Sequence, residues 1–262
     1  MNFKLVALAA SLAVSSACAA RSDLLVRAPE RTSCAGVADL GRPLRVANYN
    51  IKSGMWTSLD DIGAVLEDMN ADVIALEEVD NGMRRSGNVD EAAVLAERLH
   101  ADHMFAGALS WDGGDYGVAL LSKVPVVGAE RFALPDAGNF EPRVAIDATV
   151  CDGGEPVRVV AAHADVMPWA AKAHAAAIAD RVRGTKGVVV LGDLNATPES
   201  GAVDPLVADG LTDVLATLGK VATFGDKDRI DYILTDRVAV DAAVIDSHAS
   251  DHRPVEAALP AG

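Results

Sequence analysis

Apolar and polar positions alternate over residues 44 to 51 and then meet Gly54, a period-two pattern that predicts a strand ending near Asn50. Ser58 opens a helix through a capping box, and Ile62, Val65, Leu66 and Met69 then recur at helical spacing as its buried face. Residues 71 to 76 form a further apolar run that leads into Glu77-Glu78-Val79-Asp80. Asp90 caps a second helix carrying Ala92, Leu95, Ala96 and Leu99. From there the pattern changes to successive strands, at 103 to 109, 116 to 123, 126 to 134, 144 to 151 and 157 to 162, separated by Gly- and Pro-containing turns. An alanine-rich helix over 168 to 183 precedes the run Val188-Val189-Val190-Leu191, which suits a strand covered on both faces and ends in Gly192-Asp193-Leu194-Asn195. Shorter helical pieces at 203 to 218 and strands at 230 to 234, 238 to 245 and 254 to 259 complete the pattern. The count favours two sheets packed on each other with helices on the outer faces, in one α/β domain over 44 to 260.

Residues 1 to 20 have a basic start, an apolar run and then small residues, the layout of a secretory signal peptide. The expectation is a secreted or periplasmic protein, with Cys18 as the weaker alternative of a lipoprotein anchor. No run is long enough to span a bilayer, which takes about 20 apolar residues. Residues 21 to 43 read as a polar arm before the first strand. Export leaves Cys34 and Cys151 as an even pair in an oxidising compartment, so a disulfide between them is expected. The formal net charge is −15, without a basic tail, which argues against tight nonspecific duplex binding through many phosphate contacts. A monomer is expected.

Many strands end in groups that can do chemistry. Asn50, Glu78, Tyr116, His163, Asp193, Asn195, Asp231, Asp251 and His252 lie at strand ends or in the loops beside them. Each alone has a plain explanation: a turn Asp, a capping Asn, a solvated Glu, a satisfied core His. Together they are a set of oxygen ligands with two histidines, which suits Mg²⁺ working on phosphate groups. Cysteine and histidine clusters with zinc spacing are absent, as is the Gly-x-Ser-x-Gly elbow of serine hydrolases. The binuclear metallophosphatases share Gly192-Asp193 but need an Asp-x-His and a Gly-Asn-His that this chain lacks.

The ordered blocks Tyr49-Asn50-Ile51, Leu76-Glu77-Glu78-Val79-Asp80, Gly117-Val118-Ala119-Leu120-Leu121-Ser122, Ala162-His163-Ala164-Asp165, Gly192-Asp193-Leu194-Asn195, Arg229-Ile230-Asp231-Tyr232-Ile233 and Ser250-Asp251-His252-Arg253-Pro254 resemble the endonuclease/exonuclease/phosphatase superfamily. The resemblance implies a four-layered α/β sandwich of two mixed sheets, with the site at one end of them. It implies that Asn50 and Glu78 bind the metal and that Asp251 helps hold it. Asp193 would orient or deprotonate the attacking water, and Asn195 would contact the phosphate. His252, partnered by Asp231, would meet the phosphoryl group, with His163 as a second phosphate contact or acid. Arg143 and Tyr116 are further candidates for the phosphate; for Arg143 a surface ion pair, and for Tyr116 a core position, are equal alternatives. Lys52, Ala164 and Glu77 depart from the residues common in relatives. The implied cofactor is Mg²⁺, with Mn²⁺ or Ca²⁺ as alternatives.

The implied activity is phosphodiester hydrolysis on a nucleic acid or on a small or lipid phosphodiester. A nuclease-like enzyme is favoured over a sphingomyelinase-like or an inositol- or sugar-phosphate hydrolase, and a noncatalytic extracellular binding module is the alternative of another class. Trp56, Trp111 and Trp169 follow or precede site strands and could rim the mouth, although burial in the core is the ordinary fate of each.

Overall fold

Period-two alternation in the strand segments is realised as two facing sheets, seen in a computed structural model that describes residues 24–26, 31–139 and 141–260. The expected signal peptide and Cys18 lie outside these residues. The first sheet comprises β1 (Leu24–Val26), β2 (Leu44–Asn50), β3 (Val73–Asn81), β4 (Asp102–Trp111), β5 (Gly114–Ser122), β12 (Asp241–Val244) and β13 (Val255–Leu259), in the order β1-β4-β5-β3-β2-β13-β12. The second comprises β6 (Val126–Ala133), β7 (Val144–Asp152), β8 (Glu155–His163), β9 (Val188–Asp193), β10 (Thr212–Asp213) and β11 (Asp231–Thr235), in the order β10-β11-β9-β8-β7-β6. Both are mixed: β2 runs parallel to β3 and β8 parallel to β9, while the other pairs are antiparallel. Helices α1 (Leu59–Met69) and α2 (Glu91–Leu99) cover the first sheet, and α3 (Pro168–Val182) and α4 (Asp204–Ala208) the second. The result is the expected four-layered sandwich.

The alternation decides what each strand places between the sheets. Leu44 and Val46 of β2, Val157, Val159 and Ala161 of β8, Val189 and Leu191 of β9, and Ile233 of β11 fill the inner core. Their neighbours of opposite parity, such as Tyr49, Val160, Val190 and Tyr232, pack under the helices. Continued at period two, the inner rows arrive at Asn48 and Asn50, His163, Asp193 and Asp231, so the same faces that bury the core end in polar groups at one edge of the sandwich.

Three expectations change. The segment 21 to 43 holds a strand, β1, which pairs antiparallel with Met104 to Ala106 of β4. Strand β3 does not stop at its acidic residues but runs through them, with a register shift against β5 between Leu76 and Val79. The shorter helical pieces expected at 203 to 218 are α4 and a 3₁₀ turn at Val214–Leu218, but a short strand, β10, stands between them.

Gly192 explains why Asp193 is preceded by glycine. A Cβ there would lie 2.0 Å from the Ala162 carbonyl oxygen on the paired strand β8. Gly192→Ala is expected to cost about 3 kcal/mol, because the backbone of a central strand cannot move aside. Thermal unfolding should show a Tm lower by roughly 6–12 °C for a domain of this size.

Cys34 and Cys151 are joined, with 5.3 Å between their Cα atoms, tying the segment before β2 to the end of β7. Reduction is expected to cost about 2–4 kcal/mol by freeing a long loop in the unfolded chain. Urea denaturation with and without reductant measures this, and equal midpoints would refute it.

Candidate active site

The site forms where the polar ends of the two sheets meet. From the first sheet, Asn50 at the end of β2 donates through Nδ2 to Glu78 Oε1 on β3 (3.1 Å) and across the interface to Asp193 Oδ2 on β9 (3.0 Å). From the second sheet, β8, β9 and β11 place His163, Asp193 and Asp231 side by side, in register with one another. Asp193 is 1% exposed, so both its oxygens must find protein partners or a ligand. Its Oδ1 accepts the Asn195 N–H at 2.9 Å. Its Oδ2 faces His163 Nε2 at 3.6 Å and His252 Nε2 at 3.7 Å. Burial, and next the charge of Asp231, raises Asp193 to about 7.

The two histidines hold opposite charge states. Burial disfavours a charge on His252, but the hydrogen bond from Nδ1 to Asp231 Oδ2 (2.9 Å) and the charges of Asp231 and Asp193 outweigh it, raising the ring to about 9. It is therefore an imidazolium at neutral pH, with Phe224 packed on it at 4.8 Å. Burial instead pushes His163 well below the usual range, helped by the positive charges of Arg143, His252 and Lys52. Arg143 Nη1 lies 2.9 Å from His163 Nδ1, and a guanidinium only donates. Asn195 Nδ2, a donor that also bonds the Ala164 carbonyl, lies 3.1 Å from Nε2, so each nitrogen of the neutral ring faces a donor group, and Nε2 also faces Asp193.

Arg143 is 7% exposed, so it is not a surface ion pair. It binds Glu141 Oε1 at 3.0 Å, His163 and the Tyr116 hydroxyl, while its Nε is buried without a partner. Tyr116 is buried beside this guanidinium, within the field of Glu78, so it belongs to the wall of the site rather than to the core alone.

The backbone is strained here. Of the eight non-glycine residues with positive φ among the described residues, Lys52 (53°), Ser53 (51°), Glu78 (56°) and Asn195 (49°) lie at this site, where such strain is commonly held for function. For Glu78 the strain is the bulge in β3, which turns a residue that plain alternation would send to the helix side toward the mouth. A side-chain chain supports it: Arg85 clasps Asp80 with two bonds (2.6 and 2.7 Å) and donates to Ser53 Oγ (2.9 Å), and Ser53 donates to the Glu78 carbonyl (2.9 Å).

All the residues expected at the site lie at this end of the molecule. Asp251 is the one whose bond pattern was not foreseen: its Oδ2 pairs with Lys52 Nζ at 2.9 Å. Sequence reasoning also missed Asn48, which donates to Asp231 Oδ1 at 3.3 Å, and Ser250, whose hydroxyl donates to the Asn50 carbonyl at 2.8 Å. The alternation Val46, Asn48, Asn50 was the available signal for the first. Glu77, fully buried beside Asn48, is raised well above the usual carboxyl range by burial and by Asp231 and Asp193.

Two sets of groups could hold a cation. Asp193, Asp231 and His252 offer ligand atoms within 4.8 Å of one another, but His252 faces this cluster as an imidazolium. Glu78 and Asp193 are the other set, two carboxylates joined by Asn50 Nδ2 while Asn50 Oδ1 accepts the Lys52 N–H, and their hard oxygens suit a divalent ion such as Mg²⁺ better. Trp56 (60%), Trp111 (48%) and Trp169 (58%) are exposed, none of them in the core, and Trp111 lies against Arg85.

Residues 47–252 match the sequence profile of the Endonuclease/Exonuclease/phosphatase family. Among solved structures, an endonuclease/exonuclease/phosphatase from Beutenbergia cavernae is 25% identical with a TM-score of 0.72, the match covering 84% of this chain and 72% of that one. The mannosyl-6-phosphatase of Bacteroides thetaiotaomicron is 18% identical with a TM-score of 0.63, over 82% and 98% of the two chains. D. rerio TDP2, solved with a single-strand DNA product, is 17% identical with a TM-score of 0.66, over 83% and 99%. No curated protein matches.

Proposed function

The chain belongs to the endonuclease/exonuclease/phosphatase family, whose members are metal-dependent phosphoesterases, and from this premise we propose that it is an exported, Mg²⁺-dependent phosphodiesterase using direct attack of water. One observation carries the reading: the buried carboxylate of Asp193, at the join of the sheets, has Asn50, His163 and His252 all directed at one of its oxygens. A binding module would have no need to bury that charge.

Asn50 and Glu78 would hold the ion, which supplies positive charge to the nonbridging oxygens of the phosphate when bound. Asp193 takes the proton of the attacking water at Oδ2, oriented by Asn50 on one side and the histidines on the other. Asp231 fixes His252 through Nδ1, so Nε2–H points into the site and donates to the developing charge. His163 lies on the opposite side, its ring held by Arg143 at Nδ1 and by Asn195 at Nε2. Asn195, held in a left-handed turn and donating to the Ala164 carbonyl (3.1 Å), completes the ring of donors around the phosphate.

The exposed tryptophans bear on the substrate. Stacking of a base on an exposed indole contributes roughly 1–3 kcal/mol, whereas the acidic chain repels long duplex phosphate arrays. Preference for small or single-stranded phosphodiesters over duplex DNA is the expected result. Exposed indoles would also suit a lipid interface, which makes a phospholipid the second reading. A panel of duplex DNA, single-stranded oligonucleotide, zwitterionic phospholipid vesicles and a small chromogenic diester, each with Mg²⁺ or chelator, separates these. Turnover of none of them with Mg²⁺ present would refute the activity, and efficient nicking of plasmid without turnover of smaller diesters would refute the preference.

A further inference from the structure

The turn that follows β2 contains three successive left-handed residues, Lys52, Ser53 and Gly54. It folds the chain back so that the Lys52 N–H donates to Asn50 Oδ1 at 3.1 Å, and Nζ reaches Asp251 Oδ2 at 2.9 Å. The ammonium also stands in the fields of Glu78 and Asp193, and its charge is felt at His163. Its side chain is 35% exposed, whereas that of Asp251 is 19% exposed, so the cation is the more solvent-accessible member of the pair.

We propose that Lys52 is a catalytic residue, a tethered cation that binds the substrate phosphate, and that Asp251 is its positioning partner rather than a ligand to the metal. The proposal rests on the phosphoesterase reading above. An ammonium has three N–H donors, and one bond to Asp251 leaves two for phosphoryl oxygens. A divalent ion seated on the same carboxylate oxygen would lie against the ammonium and be repelled by it, so Asp251 serves one cation or the other. Arg143, the other cation in the wall, already spends its terminal nitrogens on Glu141 and His163. A strained backbone at Lys52 and Ser53 is what keeps the side chain from turning out to water, where a lysine on an ordinary strand end would go. Ser53 is itself fixed between Arg85 and the Glu78 carbonyl, so the turn that aims Lys52 and the bulge that aims Glu78 are braced by the same hydroxyl.

The test uses the mature protein with two probes, inorganic phosphate and Mg²⁺ alone, titrated by calorimetry, together with kcat and KM on a small diester. Lys52→Gln is expected to weaken phosphate binding and lower kcat/KM by about tenfold or more, the loss of one charge-assisted hydrogen bond. Its Mg²⁺ affinity should be equal or tighter, and Lys52→Arg should recover most of the phosphate affinity. Asp251→Asn is expected to weaken phosphate binding by a smaller factor and leave Mg²⁺ affinity within about twofold, whereas loss of a true ligand such as Glu78 costs far more. Unchanged phosphate affinity in a folded Lys52→Gln protein overturns the role of Lys52. Loss of Mg²⁺ affinity in Asp251→Asn comparable to that in Glu78→Gln overturns the role of Asp251. Failure of the underlying reading is recognised separately, as absence of ester turnover by the unmodified protein while its phosphate binding still depends on Lys52.

Discussion

Asp193→Asn is expected to lower kcat by about a hundredfold or more while KM changes little, because an amide keeps the shape but cannot take a proton from water. The replacement keeps Oδ1 accepting from the Asn195 N–H but puts an amide NH₂ where Oδ2 accepted from Asn50 Nδ2, so some loss of stability is expected beside the loss of rate. Circular dichroism and a melting curve separate the two effects, since a protein that is still folded at the assay temperature isolates the change in kcat. The pH profile gives a second readout. Asp193 works as the carboxylate, and since burial and Asp231 raise it to about 7, kcat/KM should fall as pH drops through 7. A bound cation favours the carboxylate, so this acidic limb should move below 7 as Mg²⁺ is increased. His252 works as the imidazolium, held by Asp231 up to about 9, so activity should fall as pH rises through 9. In the Asp193→Asn protein the acidic limb should disappear from the residual rate. Equal activity of the variant and the unmodified protein on every hydrolysed ester would reject the assignment of Asp193.

The sequence carried the fold because its determinants are local. Alternation over 44 to 51 and the buried run before Gly192 are periodic signals, and Ser58 and Asp90 cap their helices as expected, accepting from Asp61 and Ala93. The ends of the inner rows could be read in the same way, which is why Asn50, His163, Asp193 and Asp231 were found. What could not be read depends on contacts between distant segments. The bulge at Glu78 has no signature in Leu76-Glu77-Glu78-Val79, since it is set by pairing with β5 and by the Ser53 and Arg85 brace. The Lys52 and Asp251 pair joins the end of β2 to the loop before β13, and β1 acquires strand character only by adding to the edge of β4. The tryptophans are the opposite case: general burial statistics favoured the core, and all three are exposed.

Removal of divalent metal is expected to abolish turnover, and Glu78→Gln to weaken Mg²⁺ binding by at least about tenfold, since a hard cation held by few protein oxygens depends on each carboxylate. The geometry makes Glu78 the sensitive position. Asp193 is committed through Oδ1 to Asn195, and Asp231 is committed to Asn48 and His252. Among the described residues Glu78 has only the Asn50 amide on Oε1, so it is the carboxylate of this group most available to a cation. The change to glutamine preserves length and volume, and the bulge that carries Glu78 is held by backbone pairing and by Ser53 on its carbonyl, not by its carboxylate. Stability in urea should therefore be unchanged, which separates a lost ligand from a damaged fold. Asn50→Ala should also weaken the ion, but it removes the bond to Asp193 as well, so its effect on kcat should persist at saturating Mg²⁺. The Glu78→Gln defect, by contrast, should be partly recovered by raising Mg²⁺. Calorimetric titration of the two variants against the unmodified protein measures the difference, and equal Mg²⁺ affinity in all three would show that the ion, if bound, sits elsewhere in the cluster.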